Sequence, residues 1–359
     1  MYDIAIIGAG PAGATLARLL GKSFKILIID KRDLKSTATP SRFEKTCGGL
    51  LAPDAQEMLA RFGLGLPEHV LTGPQLFAVR AIDIPEGIER FYQRHYINVS
   101  REKFDQWLVS IIPESVEIRY NSYFKFFKQE DNLYKITYRY QDKLYTDKAK
   151  ILVGAEGALS RLRKITCPDC NNINTYISIQ EYFEGEPQNP FFSAIFDEEV
   201  TDFYSWTIPK GEHLLLGTAI PVCSKAYDKF ELLKKKLKRY NFNFNNCIKR
   251  EGAYILRPKN TAQIFTGKDN IALIGEAAGF ISPSSAEGFS YAFSSAASLA
   301  EAIHKCFDNF LPLYNSELDS LITNIMIKNL KSPFMYNPLL RKIIMKSGFN
   351  AIKINILQD

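Results

Sequence analysis

Residues 3–33 read DIAIIGAGPAGATLARLLGKSFKILIIDKRD, and the order of signals in them decides the fold. Ile4, Ala5, Ile6 and Ile7 form an unbroken apolar run, the mark of a strand buried on both faces as in a parallel sheet. The pattern G-x-G-x-x-G follows at Gly8, Gly10 and Gly13. Pro11 and Ala12 open a helix, and Gly21 stops it after Leu20. A second apolar run, Ile26 to Ile29, ends in Asp30 and Lys31. Strand, glycine turn, helix, strand, acid is the order a dinucleotide site requires. Gly8 permits the sharp turn, Gly10 lets a pyrophosphate approach the backbone, and Gly13 lets helix and strand pack closely. The helix N-terminus offers free N–H groups and a positive dipole end, and Asp30 stands where a carboxylate accepts bonds from ribose hydroxyls. This turn alone does not distinguish NAD from FAD.

The rest of the chain narrows the class. Its 359 residues suffice for two packed domains, and 46% hydrophobic with 23% charged residues is ordinary globular composition. A net charge of +6 is too mild for nucleic acid and suits an anionic cofactor, an anionic substrate or occasional contact with an acidic membrane face. The N-terminus carries no signal-peptide pattern, and no apolar run has the length of a spanning helix. Six scattered cysteines do not form a disulfide framework, so a cytoplasmic, reducing compartment is expected. CPDC at 167–170 has no second pair nearby and reads as a loop in preference to a metal or redox site. The four histidines lack ligand spacing, so no metal site is expected.

Two later segments repeat the theme of a short strand ending in glycine and an acid. They are ILVGAEGALSRLRK (151–164) and IALIGEAAGFISPSSAEGFSYAF (271–293). Between them and the start, INVSREKFDQWL (97–108) places Ser100 to cap a helix, with Arg101 at its first position and Phe104, Trp107 and Leu108 on its apolar face. Three acid-bearing turns so far apart imply an extended ligand lying across several strand ends. At this point the chain resembles the flavoprotein superfamily of aromatic hydroxylases and geranylgeranyl reductases, over about residues 1–340. The resemblance implies non-covalent FAD. Gly8, Gly10, Pro11, Ala12, Gly13, Asp30 and Lys31 would hold the ADP part, and Arg101 would approach the phosphates. Glu156, Gly275, Glu276 and Gly279 would line the pyrophosphate and ribityl chain. Backbone from Pro283 through Gly288 to Phe289 would face the isoalloxazine carbonyl. The family usually has Asp where this chain has Glu156 and Glu276. No second complete glycine pattern exists, so NAD(P)H or another reductant would have no folded domain of its own.

Residues 175–219 change character. TYISIQEYFE, FFSAIFDEEV, DFYSWTIPK and HLLLGTAIP alternate in period two, as in an antiparallel sheet with two differently loaded faces. Tyr204, Trp206 and Ile208 share one face, either as ordinary core or as the wall of an apolar cavity. YSWTIPKG resembles the Y-x-W-x-F-P-x-G motif that lines the prenyl cavity of geranylgeranyl reductases. KTCGGLL (45–51) resembles their Cys-Gly-Gly loop, which places Lys45, Cys47, Gly48 and Gly49 beside the substrate. The similarity extends to bacterial reductase-like proteins, including those linked to colicin M resistance. Cys47 is open to two readings, a thiol in a substrate loop or a small buried residue. The basic helix KFELLKKKLKR (229–239) reads as a solvated face. The apolar and basic segment 331–357 reads as packing on the body of the protein, with peripheral contact at a membrane surface as the second reading.

The expected fold is α/β. A Rossmann-like, glutathione-reductase-type FAD domain (1–72, 98–168, 262–330) is interleaved with an antiparallel-sheet substrate domain (73–97, 169–261), and a helical tail (331–359) follows. The expected activity is FAD-dependent hydride transfer to an unsaturated apolar or lipid-like small molecule. A flavin monooxygenase, less favoured a halogenase, and a non-catalytic lipid-binding flavoprotein are the alternatives. No side chain presents itself as an obvious nucleophile or base, as when a cofactor carries the chemistry.

Overall fold

Strand Tyr2–Ile7 lies inside the first sheet, paired in parallel with Ile26–Ile29 on one side and Lys143–Gly154 on the other. Ile4 to Ile7 are buried on both faces, which is why the sequence there runs apolar without alternation. Ile271–Leu273 adds in parallel beyond Lys143–Gly154, and Glu117–Arg119 beyond Ile26–Ile29. Parallel pairing puts the C-terminal ends of these strands on one edge of the sheet. The turns at Gly8, Asp30, Gly154 and Gly275 therefore converge, although they are far apart in the chain. Helix Pro11–Leu20 follows the first turn and packs on helix Phe289–Lys305, which follows the last. This computed structural model describes residues 1–35, 45–171, 173–185, 190–223 and 225–354.

The second sheet has eight strands, with Ser205–Lys210 and His213–Pro221 near its middle. All of its neighbours pair antiparallel except Phe192–Phe196, which runs parallel to Leu76–Asp83. Leu50–Leu51, from the Cys-Gly-Gly segment, joins this sheet by pairing with Ile97 and Asn98, so the chain ties the two layers together there. One face is covered by helix Ala226–Leu237, whose Phe230, Leu233 and Leu237 bury themselves against Ile179, Phe183, Leu216 and Ile220. Each such side chain contributes about 1.5–3 kcal/mol on burial. The other face carries Tyr176, Trp206, Ile208, Leu215 and Ala219 and turns toward the parallel sheet's turn edge.

Three sequence expectations need correction. Lys234 and Lys236 of the basic helix are not simply solvated: they pair with the buried carboxylates of Glu181 at 2.9 Å and Asp197 at 2.7 Å. Burying those acids requires a cation beside each, and the helix supplies it. Cys167 and Cys170 form a disulfide across a short 3-10 turn, where the sequence reads as a plain loop. Three residues per turn bring positions i and i+3 together, and the Cα atoms stand 5.3 Å apart, within disulfide range. The tail packs through only part of its surface. In helix Pro338–Ser347, Met345 is buried and Arg341 reaches Asp83 at 2.8 Å, but Leu339 and Ile343 face outward. Residues 355–359 of the tail lie outside the described residues.

Candidate active site at the turn edge

The glycines of the first turn are dictated by backbone contact. Gly8 has φ +104°, and a Cβ there would meet Ala155 O at 2.6 Å, while a Cβ at Gly13 would meet Gly8 O at 1.9 Å. The tight approach leaves the start of helix Pro11–Leu20 bare. Among the described residues no acceptor faces the N–H groups of Gly10, Ala12 and Gly13, and Ala12 and Gly13 are buried. Buried unpaired donors at a helix N-terminus fit a phosphate-bearing ligand. Helix Phe289–Lys305 repeats the arrangement: the N–H groups of Glu287, Gly288 and Phe289 have no protein acceptor among the described residues. These two helix starts are the part of the site that fits FAD.

Asp30 supports the turn from beneath. Its Oδ2 accepts from the Ala9 N–H at 2.5 Å and its Oδ1 from the Arg32 N–H at 2.7 Å. Arg32 covers the carboxylate and also donates to Asp105 at 2.7 Å, and Asp105 in turn accepts from Arg101 at 2.9 Å. Burial opposes the charge on Arg32, but Asp30 and Asp105 more than offset it and its pKa is raised. Burial likewise pushes Asp105 up, but Arg101 and Arg32 hold it below the usual carboxylate range. Arg101 stacks over the Phe289 ring at 4.9 Å and faces the Cys47 thiol. The chain Ala9–Asp30–Arg32–Asp105–Arg101 thus links the first turn to the last. Arg32 and Asp105 were missed by the sequence reading. Their signal is an arginine two residues after the acid and an aspartate one turn after Arg101. Lys31 is exposed, and its charge reaches Glu156.

The two glutamates have protein partners. Glu156 caps a helix, accepting from Ser160 Oγ at 2.7 Å and from the N–H groups of Leu162 and Arg161 at 3.0 and 3.1 Å. Glu276 pairs with Lys45 at 2.6 Å through one oxygen and accepts from the Leu256 N–H at 3.0 Å through the other. Their longer side chains reach protein groups beside the turn. Gly275, at φ +57°, places a Cβ position 3.1 Å from Ala12, and Gly279, at φ +95°, one 3.0 Å from Gln263 O. Both glycines are therefore fixed by turn conformation and packing.

The substrate-side residues do come together, though not all around one cavity. Gly48 lies so close to Ile208 that a Cβ would meet its Cδ1 at 2.6 Å. Tyr204 donates to Ser285 O at 2.7 Å and touches the Trp206 ring, with centroids 5.3 Å apart. Trp206 is buried and stacks on Gly217, whose Cβ would strike the indole at 2.3 Å. A cavity of about 220 Å³ opens between the two sheets, lined by Arg32, Lys45, Cys47, Arg101 and Lys210 among others. Tyr204, Trp206 and Ile208 are not among its walls. Of the three, Ile208 reaches the loop beside the cavity, through its contact with Gly48, the neighbour of the lining residue Cys47. Lys210, unassigned from sequence, donates to Asn98 Oδ1 at 2.6 Å, Val99 O at 2.9 Å and Gly49 O at 3.3 Å. Burial pulls its pKa down to about 7, with Cys47 opposing. Arg257, also unassigned, lies 4.2 Å from the Phe203 ring centroid and 4.6 Å from that of Tyr336, and its Nε donates to Pro283 O at 3.0 Å.

Comparison with known proteins agrees with this geometry. The FAD binding domain family matches residues 1–168. Protein CbrA of Escherichia coli O157:H7 is 40% identical over 351 residues, covering 98% of each chain. The fold is that of a geranylgeranyl bacteriochlorophyll reductase-like protein from Thermoplasma acidophilum, with TM-score 0.75, 17% identity and coverage of 96% of this chain and 98% of that one. It is also that of PqsL, a probable FAD-dependent monooxygenase from Pseudomonas aeruginosa, with TM-score 0.72, 15% identity and coverage of 97% and 99%. Among the described residues no helix is long and apolar enough to cross a membrane, and no cluster of potential metal ligands occurs. The chain belongs to the CbrA family, and its residues 1–168 match the FAD binding domain.

Proposed function

We propose that the protein reduces an unsaturated, apolar, prenyl-like substrate, which would take a hydride from reduced FAD and a proton from solvent while the flavin returns to its oxidised form. The observation that carries this reading is the meeting at the Cys47–Gly49 loop. Loop, turn edge and aromatic sheet face meet there through Ile208 on Gly48 and Tyr204 on Ser285. The Thermoplasma neighbour, described as reductase-like, supports the same reading. FAD, when bound, supplies the two-electron chemistry. The unpaired N–H groups of Gly10, Ala12 and Gly13 would take its pyrophosphate, steadied from below by Asp30 and from the side by Arg101. Those of Glu287, Gly288 and Phe289 would favour negative charge at the flavin.

The remaining residues position and exclude water. Tyr204, Arg257 and Tyr336 fix the Pro283–Ser285 turn, and Lys210 fixes the Cys-Gly-Gly loop by donating to Gly49 O. The reductant, NAD(P)H or another donor, would approach without a domain of its own. The test is anaerobic: chemically reduced protein is mixed with geranylgeraniol, and flavin reoxidation and product mass are followed. A product gaining a pair of hydrogens is expected. No reoxidation without air, with oxygen appearing in the product when air is admitted, would replace this reading by a monooxygenase.

A further inference from the structure

We infer that the outward side of the C-terminal helices is a docking face for an anionic phospholipid surface. Large apolar side chains are left in solvent along one continuous stretch of chain. Leu330 is 75% exposed, Leu339 71%, Ile343 65% and Phe349 71%, and Phe334 and Met335 are exposed as well. In helix Pro338–Ser347 the pattern is two-sided: Arg341 and Met345 point into the protein, and Leu339 and Ile343, also one turn apart, occupy the opposite side. The sequence therefore keeps apolar residues on a side that the fold does not cover. Exposed apolar surface of this kind marks contact with a partner or a membrane.

Charge selects the occupant. Residues 320–354 contain six Lys and Arg and no carboxylate. The acids that other elements bring to this segment are already matched: Asp83 and Glu198 to Arg341, Glu86 to Lys342, and Asp54 to Lys328. Lys331, Lys346 and Lys353 remain, without an ion-pair partner among the described residues. Apolar side chains interleaved with unpaired lysines fit the boundary between acyl chains and acidic headgroups. The face also adjoins the site. Tyr336, directly after exposed Phe334 and Met335, donates to Ser284 O and packs on Phe203, next to Tyr204. A lipid surface held here would lie beside the aromatic face of the antiparallel sheet. Docking of this kind depends on the surface alone, whatever the site reduces.

Sedimentation with vesicles tests it on the FAD-loaded full chain. Vesicles of phosphatidylcholine with phosphatidylglycerol should retain about tenfold more protein than phosphatidylcholine alone. The double variant Leu339→Ser/Ile343→Ser should lose about tenfold of that binding, as should Lys331→Glu/Lys346→Glu, with melting temperature and FAD content unchanged. Wild-type protein that stays in solution, or variants that bind equally well, would overturn the inference. So would a wild-type dimer that Leu339→Ser/Ile343→Ser dissociates in the absence of vesicle binding, because a second copy would then cover the face.

Discussion

At the edge of the parallel sheet the site is built from backbone, whereas at the antiparallel sheet it is built from side chains. The first region offers N–H groups at two helix starts, and glycines whose missing Cβ atoms let strand and helix touch. The second offers Tyr204, Ile208, Lys210 and Arg257, held by partners from distant segments, and Trp206, held by Tyr204 and Gly217 of its own hairpin. A backbone cradle tolerates almost no added atom, while a side-chain wall tolerates exchange wherever volume is kept. The region that binds a fixed cofactor is thus the rigid one. The side-chain face beside the site can drift while the fold persists.

Substitutions in the two regions should separate along that line. Trp206→Ala removes a buried indole and should cost about 3–5 kcal/mol in urea unfolding, while purified protein keeps FAD at its wild-type ratio to chain. Loss of FAD in this variant would merge the two regions into one. Gly13→Ala forces a Cβ against Gly8 O and should cost about 2–3 kcal/mol, but its larger effect is on the cofactor. The flavin absorbance of the purified variant should be lost, and added FAD should not restore it. Retention of flavin would show that the first turn is not the cradle.

Lys210→Met leaves Asn98 Oδ1 and two carbonyl oxygens without their donor and should cost about 1–3 kcal/mol. It should also change the pH profile. The folded pKa of about 7 lies well below the lysine value of the unfolded chain, so between the two the unfolded state carries the extra proton. Stability from this group therefore rises as pH increases above about 7, by at most about 1.4 kcal/mol per pH unit. Wild type minus variant, measured by urea unfolding at several pH values, should show that slope. A flat difference would mean that Lys210 keeps its charge at ordinary strength. Tyr204→Phe, the mildest change, deletes the bond to Ser285 O and should cost about 0.5–1.5 kcal/mol. Flavin fluorescence should shift if the Ser285 turn moves with it.

The legibility of the two regions differed in the same way. The first turn, its helix from Pro11 to Leu20 and the strand before Asp30 fall where the residue order puts them, because each signal acts on neighbours a few positions away. The helix opening at Arg101 and the period-two strands of 174–221 were legible for the same reason. The protein partners of Glu156 and Glu276 were not legible, because a carboxylate after a strand looks alike whether it faces a ligand, a helix start or a lysine from 231 residues away. Nothing near Lys210 in the sequence announces Asn98, and nothing near Arg257 announces Tyr336.

By itself, then, the sequence determined the strand and helix types, the glycine turns and the dinucleotide character of the first of them, since these follow from local sterics and periodicity. Only the tertiary structure decided that the turns at Gly8, Gly154 and Gly275 share one edge, that Arg32 bridges two aspartates, and that Tyr204 leans on Ser285. Those facts depend on strand order and on which faces pack, and both are settled by the burial of the whole chain together.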